Sequence, residues 1–154
     1  MPNTKPFVQV ACICENAILE KDGTASLIRL VDRFEASLPK NLPAGMPAGF
    51  PVTIFIRLGA GDIKGSGKVS IQARRPDGTL GGKGESVIEL LGIGRGIQFK
   101  TVFHILAPQN GLYWFDVYWN DEFLTSISAE VTIVEGPPLL EAGQIVNQQT
   151  TKSG

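Results

Sequence analysis

Residues 59 to 68, GAGDIKGSGK, are the stretch closest to a phosphate cradle. Such a loop needs Gly, four residues, then Gly-Lys-Ser/Thr opening a helix, so that backbone amides and the helix dipole meet the anion. Here Asp62 holds the place of the first glycine, and Lys68 runs into Val69 at the head of a strand. The dinucleotide fingerprint Gly-x-Gly-x-x-Gly fails at Gly59 and at Gly92, where the sixth positions are Lys64 and Ile97. A flexible hairpin is the expected structure of this segment.

Metal binding could draw on Cys12, Cys14 and His104, but structural zinc takes four ligands, commonly in paired clusters, and the chain offers no second cluster. On an extended strand the i, i+2 spacing puts both cysteines on one face, ~6.5 Å apart. They are expected as inward, core residues with protonated, inert thiols. Calcium would need six to eight oxygens, and Asp22, Asp62, Asp77 and Asp121 each stand alone in a separate turn, where a carboxylate bonds its own backbone. The single His104 lacks a Gly-x-Ser-x-Gly nucleophile elbow. The reading is a non-enzymatic chain with no catalytic residue, no cofactor and no metal.

One constellation stands out. If the strands ending at Leu106 and starting at Leu112 form a hairpin, His104 faces Trp114, Val102 faces Asp116 and Lys100 faces Tyr118 on an outer face. Lys100, His104, Trp114, Asp116 and Tyr118 then make a candidate interaction surface, since Trp and Tyr are enriched at interface hot spots and stack on sugar rings. The competing reading is that residues 39 to 51 or the C-terminal tail cover these rings.

The elements that must position these residues are strands. Period two dominates, and no window sustains a helical stripe. Residues 7 to 19 predict a first strand with Val8, Val10, Cys12 and Cys14 on one face, closed by an Asp22-Gly23 turn. Residues 27 to 38 predict a second, with Ile28, Leu30, Phe34 and Leu38 on its apolar side. The stretch 39 to 51, PKNLPAGMPAGFP, reads as a surface connection because its prolines lack amide donors. Val52, Ile54, Ile56 and Leu58, then Val69, Ile71 and Ala73, alternate with polar residues as half-buried strands. Pro76-Asp77-Gly78 is a turn before a shorter strand from Ser86 to Leu91, whose inward face the pattern does not settle.

Ile97, Phe99, Phe103 and Ile105 form the next apolar row, followed by Tyr113, Phe115, Val117 and Trp119. If Phe123, Ile127, Val131 and Ile133 share the face of Val117, directly paired positions sum to an even number. A three-residue connection, Asn120-Asp121-Glu122, meets that condition, whereas a two-residue Asn120-Asp121 turn would bury Ser126, Ser128 and Glu130. Tyr113, two residues after Gly111, resembles a tyrosine corner, whose hydroxyl bonds backbone upstream. About eight strands with turns every ten residues or so predict a two-layer antiparallel β-sandwich, immunoglobulin-like or of a related Greek-key topology. It occupies residues 1 to 134, with 135 to 154 as a flexible tail.

At 154 residues, 43% apolar, 19% charged and with a formal net charge of -1, the chain has the make-up of one globular domain. Nucleic-acid binding is not expected, because the basic residues form no stripe to neutralise phosphates. The apolar runs are too short to cross a bilayer of ~30 Å. The polar start lacks a secretory pattern, and two close cysteines suit a reducing compartment, so a soluble cytoplasmic protein is expected.

The opening PFVQVACICENAIL with its Asp-Gly turn and the closing GLYWFDVYWNDEFLTSISAEV resemble a family of uncharacterised bacterial proteins, domain of unknown function 6941. The resemblance covers about residues 6 to 134 and implies a β-sandwich in a bacterial or phage-related protein, with no activity to transfer. Function then reduces to two expectations. One is a non-catalytic module binding a protein partner or its own copy. The other is a small-ligand or carbohydrate-binding sandwich using the outer aromatics.

Overall fold

The computed structural model describes residues 5–41 and 49–137. Within them the chain forms nine strands and no helix: β1 (Phe7–Leu19), β2 (Ala25–Leu30), β3 (Arg33–Pro39), β4 (Gly49–Gly59), β5 (Lys64–Arg74), β6 (Leu80–Leu91), β7 (Ile97–Leu106), β8 (Gly111–Trp119) and β9 (Glu122–Gly136). They make two sheets, β2-β1-β4-β7 and β3-β9-β8-β5-β6. The predicted alternation supplies the core between them. Val52, Ile54, Ile56 and Leu58 of β4 meet Val69 and Ile71 of β5 and Tyr113, Phe115, Val117 and Trp119 of β8, all buried. Each such side chain contributes ~2 kcal/mol by leaving water.

The first strand has the predicted bounds but a different facing. A bulge between Val8 and Val10 turns Val8, Ala11 and Ile13 into the main core. Val10, Cys12 and Cys14 lie instead on the outer face of the four-stranded sheet, in a small cluster with Ala17, Phe55, Ala25 and Leu27. The cysteines are therefore packed, but not between the layers. Burial pushes both thiols up, with Cys14 adding to the rise at Cys12 and Lys100 opposing it at Cys14.

The predicted strand 27 to 38 is two strands in different layers. Val31 donates its amide to Ile13 of β1, while the carbonyl of Asp32 accepts from Glu130 of β9, so the chain changes sheet between neighbouring residues. Arg29, at φ 50°, bends the approach. Ile28 and Leu30 are consequently exposed, whereas Phe34 and Ala36 keep the apolar parity against the core. β3 then runs parallel to β9, the one departure from antiparallel pairing among the described strands.

Residues 60–63 form a corner between sheets rather than a hairpin, since β4 and β5 belong to different layers. β6 begins at Leu80, earlier than the predicted Ser86. Regular structure reaches Gly136, where β9 pairs with Pro39. The remainder of the expected tail, from residue 138, lies outside the described residues, as does 42–48 of the expected surface connection. Phe50 and Pro51 already belong to β4, where they pair with β7 alone and Pro51 sacrifices no sheet hydrogen bond to β1.

The β8–β9 connection is the two-residue turn that sequence parity disfavoured. Asn120 and Asp121 sit at φ 46° and 67°, as a type I′ turn requires. Trp119 pairs with Glu122 and Tyr118 with Phe123, sums that are odd. A bulge between Val117 and Tyr118 then restores the even register, Val117 opposite Thr125 and Phe115 opposite Ile127. Ser126 and Ser128 stay outside, and it is Phe123 that is displaced, 52% exposed, while Leu124 takes the inward place.

Candidate functional site

The predicted five-residue surface does not assemble. β7 pairs with β4, whereas β8 lies between β5 and β9, so the expected β7–β8 hairpin is a crossing from one layer to the other. Lys100 and His104 sit on the outer face of the four-stranded sheet, Lys100 donating to the carbonyl of Ala17 at 2.8 Å and His104 pairing in register with Pro51. Trp114, Asp116 and Tyr118 sit on the outer face of the five-stranded sheet. Two separate regions replace that surface.

The first is the outer face around β8. Arg74 on β5 lies opposite Trp114, and its guanidinium stands 5.6 Å from the ring centroid. The same guanidinium donates through Nε and Nη2 to the two oxygens of Asp116, both at 3.2 Å, and Ser126 adds a hydroxyl bond. Burial alone would raise the Asp116 carboxyl, but the hydrogen bonds from Arg74 and Ser126 and the positive charge outweigh it and hold the group below its ordinary value. Tyr118 packs edge-on against Phe123, centroids 6.0 Å apart. Between Tyr118 and β6 lies a recess of about 300 Å³ with Ser70 on its lining.

The second region is the mouth between β6 and β7. Among the described residues β6 pairs only with β5, and β7 only with β4, so two free edges face each other where the sheets do not meet. The register gives the cause. Lys68, Ser70 and Gln72 face outward and pair with Val87, Glu85 and Lys83, which sets Gly82, Gly84, Ser86, Ile88 and Leu90 inward. Two glycines and a serine leave three of these five inward positions without bulk. The gap exposes Phe103, whose ring is the nearest group to both glycines.

Three recesses follow the mouth. One of about 270 Å³ is lined by Gly84, Ser86, Ile88, Phe99 and Lys100, and another of about 130 Å³ by Gly82, Phe103, Ile105 and Arg75. A third, about 300 Å³, lies by Leu91, Arg95 and Ile97. Leu80, Val87 and Leu91 of β6, Val102 and Leu106 of β7, and Ile93 between the two strands are exposed. The charges along the mouth are largely answered: Arg75 donates to the Leu80 carbonyl and acts on Asp77, Arg95 shares its recess with Glu89, and Lys100 is tied to the Ala17 carbonyl on the outer face. Glu85 is already matched by Lys83 and Lys68. The sequence signal for this site was the pattern Gly82-x-Gly84-x-Ser86, legible only once the inward parity of β6 is known.

These features define a two-layer β-sandwich module with one unsealed side. Among the described residues no three His, Cys, Asp or Glu side chains gather as a metal site, and no helix is long and apolar enough to cross a membrane. No protein-family model and no curated protein matches the chain. Solved structures do. An immunoglobulin-like protein from Pseudomonas aeruginosa is 15% identical over 84% of this chain and 98% of its own, with a TM-score of 0.42. β-Glucuronidase 2 from Bacteroides uniformis is 18% identical over 57% of this chain, TM-score 0.44, and a β-glucuronidase of glycoside hydrolase family 2 is 13% identical over 64%, TM-score 0.45. The match spans only 12% of either glucuronidase.

Proposed function

We propose that this chain is a non-catalytic interaction module that holds an extended segment of a partner protein along the free edge of β6, in the mouth between the two sheets. The observation that carries the reading is the inward row Gly82, Gly84 and Ser86, which leaves the core open beside an unpaired strand edge. An added strand supplies main-chain hydrogen bonds to that edge, and every second side chain enters a recess. Those side chains must be apolar, because Phe99, Phe103 and Ile88 receive them.

The test is fluorescence anisotropy with labelled extended peptides that alternate Val or Ile with Ser or Thr. The protein should bind these and not counterparts in which Ser replaces each Val or Ile. Gly84→Phe and Ser86→Trp, which fill the mouth, should weaken binding at least tenfold while far-ultraviolet circular dichroism stays unchanged. Equal binding by the filled variants would refute the reading. Self-association that Gly84→Phe abolishes, with no peptide bound, would name a second copy as the occupant instead.

A further inference from the structure

The recess on the outer face of the five-stranded sheet is chemically unlike the β6–β7 mouth. Its floor is Ser70, only 1% exposed although it points away from the core. Its hydroxyl is buried and has no hydrogen-bond partner. A buried, unpaired hydroxyl costs about 1–3 kcal/mol, so an unmatched one beside a cavity marks a place where an outside group completes the bonding. Around it stand Gln72, Lys83, Asp116, Tyr118 and Asp121.

The charges on this face cancel. Arg74 is bound to Asp116 at 3.2 Å, Lys83 to Glu85 at 2.9 Å and Lys68 to Asp121 at 3.2 Å, leaving three cations against three anions. An anion or a cation entering here would have to break one of these pairs. Donors and acceptors remain available without doing so. The Gln72 amide nitrogen is committed to the carbonyls of Ala73 and Gly81, which leaves its oxygen to accept. The Tyr118 ring, steadied by Phe123, offers a flat apolar wall beside these polar groups.

We infer that this recess binds a neutral sugar ring, stacked on Tyr118 with a hydroxyl paired to Ser70. A ring of that kind joins an apolar face to a rim of hydroxyls, which matches an aromatic wall over a floor of neutral polar groups. The volume of about 300 Å³ suits a single ring, at the lower end of small-ligand sites. The inference is independent of strand capture, because β5 and β8 separate this face from the core.

The experiment is nitrogen-15 NMR titration of the full chain with glucose, galactose, mannose and N-acetylglucosamine, and with glucuronate and glucosamine as charged counterparts. At least one neutral sugar should shift the amides of Ser70, Gln72 and Tyr118, with weaker shifts from the charged rings. Ser70→Ala should lower affinity roughly fivefold, and Tyr118→Ala about tenfold. Should Tyr118→Ala fail to fold, Leu80→Trp, which blocks the recess from its exposed rim, should abolish the shifts. No shift from any neutral sugar, tighter binding of the charged rings, or full affinity in Ser70→Ala would overturn the inference. The last outcome would leave Ser70 with water alone.

Discussion

The hydroxyl of Tyr113 accepts the backbone amide of Gln109 at 2.8 Å, fastening the start of β8 to the connection that brings the chain across from β7. Tyr113 is itself 2% exposed, and the bond is partly buried. Tyr113→Phe should therefore lower unfolding stability by about 1 kcal/mol, the net worth of a partly buried hydrogen bond. Urea denaturation measures this, and an unchanged midpoint would deny the corner its structural part.

Four carboxylates are held below their ordinary range: Asp22 by the Thr24 hydroxyl, Asp77 by that of Thr79, Glu85 by Lys83, and Asp116 by Arg74 and Ser126 against its own burial. A folded value below the unfolded one adds stability above the unfolded value, which is lost as pH falls through the folded value. Stability should thus be level near neutrality and fall below about pH 4. Asp116→Asn should destabilise by about 2 kcal/mol at neutral pH and flatten the acid limb. Denaturation midpoints across pH read both effects.

Asn120 and Asp121 both occupy left-handed backbone, and Asn120 also accepts the Lys68 amide at 2.8 Å and donates its own amide to the Lys68 carbonyl. Asp121→Gly should be neutral or stabilising by up to about 1 kcal/mol, because glycine adopts this conformation freely and the exposed pair with Lys68 is worth little. Asn120→Val should cost about 2 kcal/mol through backbone strain and the lost bond. Thermal melts of the two variants should move in opposite directions or leave only the second lowered.

Gly67 lies beneath the indole of Trp119, where an added methyl would collide with the ring. Gly67→Ala should destabilise by about 1–3 kcal/mol, and loss of near-ultraviolet Trp ellipticity would locate the damage. Retained stability would mean that Trp119 can move aside.

Strand existence was legible because burial on one side imposes period two, as in β4, β5, β7 and β8. The tyrosine corner and the Asp22 and Asp77 turns were legible because their chemistry is local. Sheet membership was not. The four residues 107–110 are long enough either to close a hairpin or to cross a ~10 Å core, and apolar alternation looks the same on both layers. Bulges hide for a related reason. At Val8–Val10 and at Val117–Tyr118 one extra residue exchanges the faces, so parity carried along β1 or β9 assigns Cys12, Cys14 and Phe123 to the wrong side. The proposed binding edge depended on the inward register of β6, which only pairing with β5 reveals.

Hydrogen exchange tests the open mouth most directly. In the free protein, the backbone amides of β6 that do not pair with β5 should exchange rapidly, far faster than those of β4, which is paired along both edges from Thr53 to Leu58. Saturating extended peptide with alternating apolar residues should slow the β6 set selectively and leave the β2 edge unchanged. Slow exchange along the free β6 edge before any peptide is added, or no change in β6 once peptide is bound, would contradict the account.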